Sequence, residues 1–133
     1  MKLSLNWLNK YIDHGLSSDE LSKRLTMAGL EVESIAKYGD DVVFELEITP
    51  NRPDCLNILG LAREVSAITD KDMSVNGVNE YEDVGDLEIS IEDMTGCSRY
   101  IGTLIDGIQV KEIPAEYARL LQAIGLKPIS NIV

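Results

Sequence analysis

The sequence predicts an α+β fold, with a small domain over residues 1–69, an acidic linker over 70–86 and a second stretch of structure over 87–133. Three observations carry this reading. Val42, Phe44, Leu46 and Ile48 alternate with Val43, Glu45 and Glu47, the period-two pattern of a half-buried strand with one acidic face. Ser17-Ser18-Asp19-Glu20 has the spacing of a capping box and is followed by apolar residues at helical intervals. Between residues 70 and 86, Gly, Asn, Ser and acidic side chains dominate and Lys71 is the one basic residue, a composition that favours solvated chain over a packed core.

Each element follows in order. Leu5, Leu8 and Ile12, with Trp7 and Tyr11, lie at helical spacing behind Ser4, a suitable N-cap, and Asp13-His14-Gly15 stops that run. The capping box opens a helix that places Leu21, Leu25 and Ala28 on one stripe and ends at Gly29. Leu30–Ile35 reads as a strand, Tyr38-Gly39-Asp40-Asp41 as a turn, and Val42–Ile48 as the next strand. Thr49-Pro50-Asn51-Arg52-Pro53-Asp54 is a rigid joint, because its two prolines fix φ and bias Thr49 and Arg52 towards extended backbone. Asp54 then caps a helix from Cys55 to about Ile68, whose core stripe is Ile58, Leu61, Val65 and Ile68. Beyond the linker, Leu87–Ile91 and Arg99–Ile108 read as strands. Pro114 opens a helix carrying Tyr117, Leu120, Leu121 and Ile124, which Gly125 closes. Ile129–Val133 starts a further strand with no closing turn, the pattern of a fold that continues past Val133.

Composition excludes several classes of function. Twelve basic against 23 acidic residues give a net charge of −11, with 7 against 11 in residues 1–69 and 5 against 12 in residues 70–133. Neither half offers the basic surface that phosphate backbones or anionic membranes require. No apolar run approaches the ~20 residues that span a bilayer, and Met1–Trp7 lacks a signal peptide's apolar stretch, which implies a cytoplasmic protein. With aromatic residues at 5%, the core must be aliphatic.

Candidate chemistry is sparse. Glycine-rich phosphate loops are absent from the sequence, and the single histidine, His14, removes multi-histidine zinc sites and reads as an exposed turn residue. Cys55 and Cys97, far apart and outside any Cys-x-x-Cys pair, read as free thiols. Glu45 and Glu47 share a strand face and can act as an acid–base pair or hold a divalent cation, but a solvated strand face explains them more simply, since hard cations need several convergent oxygens. Arg99-Tyr100 can bind and stack on a base; a surface cation beside a half-buried ring is the plainer reading. Trp7 reads as a core anchor. Arg52 can pair locally with Glu64 or Glu47, or face a partner.

The ordered blocks Leu5-Asn6-Trp7-Leu8, Leu25–Glu33 and Glu47-Ile48-Thr49-Pro50-Asn51-Arg52-Pro53-Asp54-Cys55-Leu56, followed by Gly60–Val65, Cys97–Ile101 and Gly125–Val133, resemble the N-terminal part of the bacterial phenylalanine–tRNA ligase β subunit. The resemblance covers nearly the whole chain except the acidic linker. It implies that residues 1–69 form the β subunit's first domain, with Thr49–Asp54 as its structural joint, and that 87–133 open an editing-type domain. The full ligase of this family is an α₂β₂ heterotetramer that uses ATP and Mg²⁺ to attach phenylalanine to tRNA. Its partners for this segment are the α subunit and the remainder of the β subunit, with tRNA reached only through the complex. The resemblance assigns no catalytic, cofactor or metal residue to this chain, because the chemistry belongs to the α subunit and the editing pocket lies beyond the last matched block. One departure is evident. The family's inserted OB-fold tRNA-binding module has no room here, since only Ala36–Asp41 separate the flanking blocks. The alternatives are a free-standing truncated paralogue that binds a protein partner, and an independent metal enzyme built on Glu45 and Glu47.

Overall fold

Short-range sequence signals start most of the elements between residues 1 and 69. The computed structural model describes residues 1–75, 77 and 87–133. Among them run β1 (Lys2–Ser4), α1 (Leu5–Leu8), α2 (Ser18–Met27), β2 (Glu31–Tyr38), β3 (Asp41–Glu47), a 3₁₀ turn (Pro53–Cys55), α3 (Ile58–Thr69) and α4 (Ala115–Ala123). The strands form one antiparallel sheet in the order β1-β3-β2, with Leu3 and Ile35 flanking Phe44 across the central strand. This is the expected α+β class.

The core lies on one face of that sheet. Leu3, Phe44 and Leu46 are fully buried against Leu8, Leu21, Leu25, Leu30, Leu61 and Val65 from the helices and their connections. Aliphatic side chains around one phenylalanine therefore supply most of the apolar burial that drives folding. Glu45 and Glu47 stay exposed on the opposite face, as the alternation requires.

Ser4 is the N-cap of α1, and its Oγ accepts the Trp7 N–H at 3.0 Å. The hydroxyl also donates to the Asp41 carboxylate at 2.5 Å. Asp41, read from sequence as a turn residue, is buried and accepts the N–H groups of Asn6 and Val42 as well. Three donors offset the cost of removing this carboxylate from water. Strand β1 escaped the sequence reading because its three residues merge into the helical run that follows.

The capping box of α2 forms as expected. Ser17 Oγ accepts from the Glu20 N–H at 3.3 Å, and Glu20 Oε2 accepts from the Ser17 N–H at 3.2 Å. Gly29, at φ 91°, ends the helix in the left-handed region. Ala28 is exposed at the C-cap instead of joining the buried stripe, which stops at Leu25. Strand β2 begins after Leu30 and runs to Tyr38, past the expected end at Ile35. Gly39-Asp40 then closes a two-residue hairpin on the pair Tyr38↔Asp41, with Gly39 at φ 63° supplying the first central conformation of a II′ turn.

Four further expectations need correction. Asp54 does not cap the helix after the joint; the 3₁₀ turn intervenes, and Asn57 Oδ1 accepts the Gly60 N–H at 2.8 Å to cap α3. His14 is buried, 7% exposed, not an exposed turn residue. Trp7 is half-buried and lines a shallow cleft with Tyr117, Leu120 and Leu121, so it is no deep core anchor. The stretches Leu87–Ile91, Arg99–Ile108 and Ile129–Val133 form no ladder among the described residues. Alternation makes a strand only where a neighbour takes its N–H and C=O groups in succession; here the Lys111 carbonyl accepts the Asn131 N–H at 3.0 Å, and no ladder extends from that bond among the described residues.

Helix α4 follows Pro114 and ends at Gly125, φ 85°, as the sequence indicates. Its Glu116 pairs with the Lys10 ammonium, which also lies 5.9 Å above the Tyr117 ring. The acidic linker falls largely outside the described residues; its first residue, Asp70, is the left-handed C-cap of α3 at φ 54°.

Candidate functional site

The joint between β3 and α3 holds the densest polar cluster among the described residues. The chain leaves the sheet at Glu47 and turns at once, the Arg52 N–H donating to the Thr49 carbonyl at 2.9 Å. Pro53 opens the 3₁₀ turn, where its missing N–H costs nothing. Arg52, directly before it, has φ −119° and ψ 51°, outside the helical region as a following proline demands, though not fully extended as the sequence suggests. Thr49, Pro50, Asn51, Pro53 and Asp54 are exposed, while Arg52 is drawn inwards.

Arg52 organises the cluster. Its Nε lies 3.1 Å from Asp54 Oδ1 and its Nη2 2.8 Å from Oδ2, a two-point contact that fixes the plane of the guanidinium. The same Nη2 donates to Glu64 Oε1 at 2.5 Å, reaching across from the joint to α3, and to Cys55 Sγ at 3.1 Å. Of the partners open in sequence, the structure selects Glu64 and not Glu47. The hydrogen bonds from Asp54 and then Glu64 push the guanidinium pKa up. Arg52 in turn holds the Asp54 carboxyl down at about 2. Burial, together with the Asp54 carboxylate that accepts its S–H, pushes the Cys55 thiol up to about 11. That thiol is a packed neutral group at pH 7, not a nucleophile.

Asp54, Cys55 and Glu64 offer donor atoms within 4.8 Å of one another, the type of grouping that can hold a metal ion. Here the guanidinium lies among them and contributes the positive charge itself. The arrangement is an ion-paired clasp between loop and helix, with no nucleophile, base or open coordination position. The depressed Asp54 value means its contribution to stability is complete above the ordinary carboxylate range and is lost as pH falls through about 2.

A second fastening lies beneath the clasp. Asn57 Nδ2 donates to the Asp54 carbonyl at 3.1 Å while Asn57 Oδ1 caps α3. Gly60 lets α3 approach that carbonyl, since a Cβ there would stand 1.7 Å from Asp54 O. Sequence reasoning missed both residues; the signal for Asn57 was an amide directly before the apolar stripe beginning at Ile58. Asn57→Ala is expected to destabilise the chain by about 0.5–2 kcal/mol in denaturant melts. Asp54→Ala should move the midpoint less, because its carboxylate is itself exposed to solvent and caps no helix.

The remaining candidates do not converge. Glu45 and Glu47 are exposed on the outer sheet face; Ser34 Oγ approaches Glu45 at 3.5 Å, and Glu47 stands opposite another carboxylate, Glu31. Arg99 and Tyr100 are exposed on a segment without a ladder. Cys97 and Tyr100 line an open cleft of about 420 Å³ with Ile89 and Ile91. Both cysteines are free thiols, as expected. Among the described residues, no helix is long and apolar enough to cross a membrane.

No protein-family model matches the chain. Individual relatives do. A phenylalanine–tRNA ligase beta subunit from Rhodopirellula baltica is 37% identical over 138 aligned residues, taking in all of this chain and 20% of the relative. Beta subunits from Fusobacterium nucleatum and Thermotoga maritima are 42% and 39% identical, over 71% and 78% of this chain and 12% and 14% of theirs. The chain thus spans a fifth or less of the length of these relatives. An alignment of 138 residues against a chain of 133 also leaves no room for a domain-sized insertion along the matched part of the Rhodopirellula protein. Over most of its length, this chain is homologous to the phenylalanine–tRNA ligase beta subunit, as a partial segment of that family.

Proposed function

We propose that this chain is an architectural segment of a phenylalanine–tRNA ligase beta subunit, and that the chemistry of the ligase lies elsewhere in the complex. In this reading, residues 1–69 are the subunit's first domain, 70–86 a linker, and 87–133 the opening of an editing-type domain. Thr49, Pro50, Asn51, Arg52, Pro53 and Asp54 are the joint that sets the direction of α3 against the sheet. The partners are the alpha subunit and the remainder of the beta subunit. ATP and Mg²⁺ act in the full, cytoplasmic ligase that charges tRNA with phenylalanine.

The observation that carries the proposal is the match to the Rhodopirellula beta subunit across the entire chain. The clasp supports it: Arg52 is committed to two carboxylates, and a guanidinium so paired is a poor ligand for tRNA phosphate. The charge of −11 points the same way.

The test is a segment exchange. The purified chain, given ATP, phenylalanine and tRNA, is expected to yield no charged product. Substituted for the matching segment of the Rhodopirellula beta subunit and co-expressed with its alpha subunit, it is expected to restore an assembled ligase that charges tRNA. Turnover by the chain alone would overturn the non-catalytic reading, and a chimera that folds but does not assemble would overturn the architectural one.

A further inference from the structure

The one histidine lies in the short connection between α1 and α2, and its chemistry there is unusual. His14 is 7% exposed, and its Nδ1 accepts the Leu16 N–H at 3.0 Å. A nitrogen that accepts has its lone pair free, so the neutral ring must carry its proton on Nε2. That Nε2 is buried and has no hydrogen-bond partner among the described residues. The ring is therefore fixed as one tautomer by a single backbone contact.

We propose that the turn Asp13–Leu16 is a proton-sensitive latch, closed while His14 is neutral and released, together with the N-terminal cap of α2, when His14 is protonated. The second proton can go only to Nδ1. There it would face the Leu16 N–H, two donors where one bond had been, and it would place a cation in a buried position. Burial accordingly lowers the imidazole pKa from its ordinary value, and Asp13, the one charged neighbour whose field acts on the ring among the described residues, opposes that shift without overcoming it. Glu20, in the first turn of α2, is the titratable group that contacts the Ser17 cap. Its carboxyl is held below its usual range by the Ser17 N–H and hydroxyl, so it stays ionised through the window in which the latch acts.

Release would travel a short, defined distance. Ile12, at 2% exposure, anchors one end of the turn in the core. Gly15, at φ 65°, makes the bend, Leu16 packs on the core, and Ser17 caps α2. Losing the Leu16 bond frees Leu16 and Ser17 together, because they are consecutive. The sign follows from the lowered value: the latch is fully closed above the ordinary imidazole pKa of about 6.5 and loosens as pH falls from there towards the lowered folded value.

The experiment uses the ¹⁵N-labelled 133-residue chain between pH 7.5 and 5.5. His14→Asn is the control, since its Oδ1 can replace Nδ1 as the acceptor and does not titrate. In the wild type, the imidazole nitrogens should report the Nε2–H form at neutral pH. Exchange of the Leu16 and Glu20 amides, corrected for intrinsic rates, should accelerate by up to about tenfold per pH unit below 6.5. In His14→Asn it should stay flat. An Nδ1–H signature at neutral pH, titration at or above the ordinary value, or an equal pH response in the two proteins would each overturn the latch. Should the variant not fold, the wild-type ring signals and their titration decide the matter alone.

Discussion

Phe44→Ala is expected to lower the unfolding free energy of the chain by about 3–5 kcal/mol, the usual range for emptying a buried aromatic site. Phe44 is the chain's only phenylalanine and is fully buried on the central strand, between Leu3 on β1 and Ile35 on β2. Among the described residues no other aromatic side chain is fully inside the buried cluster, Tyr11 only packing against it, and the surrounding leucines already fill their own sites. Since small domains hold only about 5–15 kcal/mol in total, the variant should melt at much lower urea or fail to fold. Phe44→Leu keeps most of the volume and should lose clearly less. Equal, small losses in urea titrations of both variants would show that the sheet face is not the centre of the core.

Gly60→Ala carries the second large effect, and its sign is the informative part. Inside a helix this substitution ordinarily stabilises by about 0.5–1 kcal/mol, because alanine gives up less backbone freedom. Here the new Cβ would stand 1.7 Å from the Asp54 carbonyl oxygen and 3.3 Å from the Cys55 Cα, both backbone atoms of the 3₁₀ turn. Neither can swing away as a side-chain tip would. The helix must slide off the joint, which stretches the Asn57 cap and the Arg52–Glu64 pair together. A loss of about 3 kcal/mol, the upper end of the overpacking range, is expected in the same titrations. A gain in stability would mean that α3 does not rest on the turn.

What the sequence disclosed, and what it withheld, divides by range of interaction. The Ser17–Glu20 box, the Ser4 cap, the terminating Gly29 and the Val42–Ile48 alternation depend on neighbours within a few residues, and each proved right in kind. Asp54 reads as a cap for the same local reason, but the 3₁₀ turn adds three residues, so the duty passes to Asn57. Asp41 and His14 look like turn residues because polarity is the only local clue; their burial comes from partners at Ser4 and Asn6 and from the packing of the turn on the core. Gly60 looks like a weak point in a helix until the carbonyl opposite it is known. At the joint, the choice of Glu64 over Glu47 rests on which carboxylate faces Arg52 across the gap, a fact of the fold alone.

The tight hairpin at Gly39-Asp40 has a consequence for where this fold tolerates added chain. Its two arms leave the core side by side on adjacent strands, and the pair Tyr38↔Asp41 already closes the ladder below the tip. Chain added at that tip need not disturb a buried side chain, and closure entropy grows only with the logarithm of the added length. A folded unit whose own termini lie close together can therefore be spliced in or excised there while Phe44 keeps its neighbours. The hairpin is thus a position where an inserted unit would leave the scaffold that carries it unchanged.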